Sequence, residues 1–100
     1  MKIIISRSHG VWSISENFYK HYNIPYRKEH GFCYSKENIT RKDPRLIEYI
    51  EKFGTKMASG IFGYLEVVDI PNGTAYRICD YDGAEYIEYR DDIKWEIAED

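Results

Sequence analysis

The chain predicts an α+β domain: two helices packed on one face of a mostly antiparallel sheet, in the order β-α-loop-α-β-β-β. Three observations carry this expectation. The apolar residues switch from a β-branched run at the start, to helical spacing in the middle, to alternation at the end. Asp43-Pro44 is a helix start, an N-cap followed by a residue whose φ is already helical. Asp82-Gly83 separates two alternating segments, as a two-residue type I′ hairpin requires.

Lys2 to Ser6 is short and densely β-branched, which suggests a central strand. Arg7-Ser8-His9-Gly10 breaks it. Ser13 and Glu16 have the spacing of a capping box, so a first helix is expected from about Ile14 to Tyr22, with Ile14, Phe18 and His21 or Tyr22 along one stripe. Asn23 and Pro25 end it. Residues 25–42 read as a long connection with room for a short strand at 31–34, and connections of that length are commonly functional. In the second helix Leu46, Ile47, Ile50 and Phe53 form the buried stripe. Gly54 marks its end, although Thr55–Ser59 can add a turn after a kink. Ile61 to Ile70 reads as a long strand closed by the turn Pro71-Asn72-Gly73. The Asp82-Gly83 turn sets facing positions, placing Tyr76 opposite Tyr89, Arg77 opposite Glu88, Ile78 opposite Ile87 and Asp80 opposite Glu85. Ile93, Trp95 and Ile97 alternate in the tail as an edge strand that could pair with a second copy.

One hundred residues make one domain, 1–100, large enough for a core. No apolar run reaches a membrane span, and the opening is too short for a secretion signal, so cytoplasmic residence (a host-cell cytosol) is expected. Cys33 and Cys79 match no metal-ligand spacing and read as small buried hydrophobes. His9, His21 and His30 fit no metal pattern. No cofactor is implied.

Charge is divided unevenly. Residues 1–45 carry nine Lys/Arg and four Asp/Glu; residues 46–100 carry five and thirteen. Opposed ends give a reason to self-associate, or to hold an anion at the basic end. The ten tyrosines supply flat faces with polar tips, suited either to half-exposed sheet surfaces or to stacking. The junction after the first strand could cradle a phosphate on its backbone N–H groups, or merely satisfy itself; it lacks a dinucleotide or P-loop glycine pattern. Asp80 and Glu85 could be solvated, could receive an Arg from a neighbouring protomer, or could act as a general acid–base pair. The acidic net charge of −3 argues against a nucleic-acid polymer.

Asp43 to Tyr89 resembles a family of small accessory proteins from tailed-phage and prophage genomes, through its Asp-Pro helix start, Val-Val-x-Ile-Pro strand end and Tyr-Asp-Gly-x-Glu hairpin. The resemblance covers about half the chain and implies a fold and a genomic setting rather than catalytic residues. In that setting a short protein is often an inhibitor of host defence, such as an oligomeric sponge for a nucleotide signal.

The expectation is therefore a non-enzymatic, homo-oligomeric binder of a small anionic, nucleotide-derived ligand, contacted by Arg7, His9, Trp12, Arg41 and Arg45. Arg7 and Arg45 would neutralise phosphate, His9 would donate a hydrogen bond and Trp12 would stack. Two alternatives stand beside it: inhibition of a host protein through the acidic C-terminal half, and a small hydrolase of a phosphorylated substrate using His9 or Glu85.

Overall fold

In the computed structural model, which describes residues 1–8 and 12–90, six strands and three helices follow one another as β1 (Lys2–Ser6), α1 (Glu16–His21), β2 (Arg27–Glu29), β3 (Phe32–Tyr34), α2 (Pro44–Phe53), α3 (Thr55–Ala58), β4 (Leu65–Asp69), β5 (Tyr76–Tyr81) and β6 (Ala84–Tyr89). The class is mixed α+β. The strands form three antiparallel two-stranded sheets, β1-β4, β2-β3 and β5-β6, rather than the one sheet expected from sequence.

β1 runs antiparallel to β4 from Lys2↔Asp69 to Ser6↔Leu65. Ile3, Ile4 and Ile5 are all buried, so both faces of this strand are covered. Among the described residues its other edge pairs with no strand. Instead the Ile4 N–H donates to the Arg41 carbonyl (2.9 Å), the Arg41 guanidinium donates to the Ile4 carbonyl (3.2 Å) and the Ser6 N–H donates to the Glu85 carboxylate (2.7 Å). β6 lies beside β1 and is joined to it here by a side chain. These bonds occupy edge groups of Ile4 and Ser6 that a further strand would need.

The first helix starts later than Ser13/Glu16 suggests. Ser15 is the N-cap, its Oγ accepting from the Phe18 N–H at 3.2 Å. Residues 13–15 are drawn instead into pairing with 58–60: Gly60 N–H to Ser13 carbonyl, Ser15 N–H to Ala58 carbonyl, and an Ile14–Ser59 bridge. Those bonds satisfy backbone groups that a longer helix would have used.

The long connection contains a hairpin, β2-β3, turned by His30 (φ 52°) and Gly31 (φ 85°). Two consecutive left-handed residues make a type I′ turn. The strand expected from Ile61 is confined to Leu65–Asp69. Gly60 and Gly63 pack so tightly on Ser13 and Ile14 that a Cβ at either would lie within 3.0 Å of them, and Phe62 takes φ 59°. That close approach bends the chain into a turn.

α2 begins where Asp43-Pro44 predicts, with Asp43 accepting from the Arg45 N–H at 2.9 Å, and ends at Gly54 (φ 92°) before α3. Leu46 and Ile50 of its predicted stripe are buried, but Tyr49 takes the place expected of the exposed Phe53. Tyr49 and Tyr19 set their rings 5.8 and 5.4 Å from Phe18, edge to face. Full burial of Phe18, Ile4, Leu46 and Leu65 stabilises the fold by about 1.5–3 kcal/mol each. The β5-β6 register matches expectation pair for pair, from Tyr76↔Tyr89 to Tyr81↔Ala84. The tail strand predicted around Ile93, Trp95 and Ile97 lies outside the described residues.

Candidate functional site

Of the five residues expected to contact ligand, the structure brings two together, Arg41 and Trp12, and holds Arg7 and Arg45 on carboxylates of their own. His9 lies outside the described residues. Arg7 pairs with Glu66 across β1-β4 at 2.8 Å. Arg45, at the first turn of α2, binds Asp43 (2.9 Å) and Glu37. Arg41 and Trp12 do come together: the guanidinium sits 5.1 Å from the indole centroid, a cation–π contact.

Arg41 also grips Glu85, Nη1 to Oε1 at 2.7 Å and Nη2 to Oε2, in the two-pronged geometry that favours guanidinium over ammonium. Oε1 takes a second bond from the Ser6 N–H. Burial pushes the Glu85 carboxyl up, but these bonds outweigh it and hold the group below the usual carboxylate range. The Arg41 guanidinium is raised by the same bond. Beside the three roles open to Glu85 from sequence, the structure shows another: it receives an Arg from its own chain. A carboxylate so held is a poor general base.

Arg45, Lys20 and Lys28 are likewise engaged. Asp43 is held low mainly by its bond to Arg45, and Arg45 is raised by Asp43 and Glu37. Lys28 and Lys20 share Glu16. Sequence inspection weighed these cations without their carboxylates, because Glu37, Glu66 and Glu85 reach them only through the fold.

A concavity lies on the segment that sequence marked as the long connection. It is a cleft of about 740 Å³ lined by Pro25, Tyr26, Arg27, Tyr34, Ser35, Lys36 and Glu37. This size suits a drug- or nucleotide-sized ligand. The β2-β3 register sets Arg27 opposite Tyr34, and its guanidinium lies 5.3 Å from that ring. Tyr26 stacks on Tyr19, rings 5.6 Å apart and 26° from parallel, which fixes its orientation from behind. Ser35 stitches the rim: its Oγ donates to the Pro25 carbonyl (2.9 Å) and accepts from the Glu37 N–H (3.1 Å). Arg27 pairs with Glu29 and Arg45 with Glu37, whereas no ion pair among the described residues engages Lys36. A second depression shares the Tyr34–Glu37 wall and extends past Cys33 to Trp12.

Arg27, Lys36, Tyr26 and Tyr34 were not among the five residues expected to contact ligand, although all four fall within the 25–42 connection. A readable signal existed in His30-Gly31, whose turn chemistry folds Arg27 onto Tyr34. Among the described residues no group of three or more His, Cys, Asp and Glu gathers to hold a metal, and no helix is long and apolar enough to cross a membrane. Both cysteines are free and half-buried, with burial raising the Cys33 thiol. The chain matches no protein-family model, no curated protein and no solved structure.

Proposed function

We propose that this protein is a non-catalytic binder of a small anionic ligand that carries a flat ring, a nucleotide-derived molecule, held in the Tyr26–Tyr34 cleft. One observation carries the reading: a cleft of nucleotide size places two tyrosines beside Arg27 and beside Lys36, whose ammonium no described carboxylate neutralises. Rings supply stacking and the cations supply phosphate neutralisation. The ligand contacts are thus moved from the five residues expected from sequence to the neighbouring hairpin. The resemblance to phage accessory proteins supports a role in sequestering a nucleotide signal of host defence, as a homo-oligomer in the host cytosol. Ile61, Phe62 and Tyr64, exposed together on one loop, support self-association.

Isothermal titration against cyclic and ADP-ribose-type nucleotides tests the reading. Binding by the native chain should weaken roughly tenfold or more in Lys36→Ala and in Tyr34→Ala. Silence across the panel from folded protein would remove it. The alternative of host-protein inhibition rests on a different surface, the exposed Tyr81 and Tyr86 of the β5-β6 hairpin beside Asp80 and Asp82. Pull-down with the intact chain separates the two readings, since a sponge recovers no stoichiometric protein.

A further inference from the structure

Glu85 sits in a place built like an anion site. Its Oε1 accepts from the Ser6 backbone N–H (2.7 Å) and from Arg41 Nη1 (2.7 Å), and its Oε2 accepts from Arg41 Nη2. Trp12 covers the guanidinium face, and Arg41 Nη1 is steadied by the Ile4 carbonyl. A backbone donor, a forked guanidinium and an aromatic lid recur in phosphate recognition. Here the oxygens come from a side chain on a hairpin that is otherwise a separate two-stranded sheet.

We propose that Ser6 N–H, Arg41 and Trp12 form an anion seat, distinct from the Tyr26–Tyr34 cleft, that Glu85 fills as an internal competitor and that a phosphate monoester takes by displacing it. Charge favours the exchange. A phosphate monoester near neutral pH carries about −1.5 to −2, against −1 for a carboxylate, and offers three acceptor oxygens instead of two. The Trp12 indole, 38% exposed, is open to a base or ring attached to that phosphate. The competitor has the advantage of attachment, because a tethered group acts at an effective concentration in the millimolar range or higher. Free ligand therefore binds the intact protein more weakly than the bare seat by the fraction of time that Glu85 is away. Occupation of the seat would also uncouple β5-β6 from β1, so ligand binding and hairpin position are linked.

The test uses the full chain carrying Trp95→Phe, so that indole emission reports Trp12. Inorganic phosphate and adenosine monophosphate are titrated separately by fluorescence and calorimetry. Glu85→Gln keeps the shape but removes the charge, and should bind phosphate roughly tenfold more tightly or better. Arg41→Ala should abolish the response. Greater affinity for the nucleotide than for phosphate assigns the Trp12 face to the base; equal affinity confines the seat to phosphate. If Glu85→Gln remains folded by circular dichroism and gains no affinity, the proposal fails. Should that variant unfold, the native chain decides: phosphate should shift the Ser6 amide resonance and the Arg41 side-chain resonances, and their constancy to tens of millimolar phosphate overturns the seat.

Discussion

Arg41 joins four things: an indole face, a strand carbonyl, a carboxylate and, through its own backbone, the Ile4 N–H. Its removal leaves a mostly buried carboxylate with the Ser6 N–H as its remaining bonded partner among those described. Arg41→Ala should therefore cost about 1–2 kcal/mol in urea denaturation, reduced from the full buried-pair penalty because the guanidinium is about a third exposed. Arg41→Lys should recover little, since an ammonium cannot make both bonds and the stacking contact at once. The pH dependence follows in sign. Glu85 and Asp43 are held below their ordinary values in the folded chain, so the stability they add is full above about pH 4–4.5 and is lost as pH falls through their folded pKa values. Thermal melts between pH 7 and pH 2.5 should show the midpoint gap between the native chain and Arg41→Ala closing on the acid side.

Among the elements, those legible in sequence were the ones whose chemistry is local. The Asp82-Gly83 turn dictates its hairpin register within four residues, and Asp43-Pro44 starts α2 by satisfying an N–H two residues away. Where long-range pairing competes with local preference, the local reading loses. Ser13 and Glu16 could cap each other, but Ser13 gives its carbonyl to Gly60 and the helix waits for Ser15. The same pairing makes the 58–63 turn intolerant of side chains. Gly60→Ala would place Cβ 2.3 Å from Ser13 Oγ and 2.8 Å from the Ile14 carbonyl oxygen. Gly54→Ala meets nothing within 4 Å and carries only the strain of φ 92°. Chemical denaturation should rank Gly60→Ala below Gly54→Ala, with losses of about 3 and about 1–2 kcal/mol respectively. Equal losses would mean that residues 58–60 do not pack on 13–15 as described.

For the whole molecule, the charge split has a use that the one-dimensional reading assigned elsewhere. Ion pairs cross between the basic first half and the acidic second: Met1 amino with Asp69, Lys2 with Glu51, Arg7 with Glu66 and Arg41 with Glu85. Part of the opposed charge that could drive self-association is thus paired inside one chain. Exposed pairs contribute little and are screened by salt, whereas the half-buried one is not. Arg41→Ala should accordingly lower the melting temperature more than Lys2→Ala or Arg7→Ala, and the gap should widen in 1 M salt as the two exposed pairs lose their remaining effect.

Composition, turn dipeptides and helical spacing determined the class, the α2 helix and the β5-β6 register, and left open the extra turn that became α3, because each depends on residues within a few positions of one another. They also marked residues 25–42 as the region to search, although not the β2-β3 hairpin that shapes its cleft. Tertiary structure alone decided which cations stay available. Arg7, Arg41 and Arg45 are neutralised by carboxylates, two of them far off in sequence, and Lys36 is the cation in the cleft that no described carboxylate engages. The physical reason is range: a capping bond is set by adjacent backbone, whereas an ion pair depends on where the fold brings a carboxylate tens of residues away.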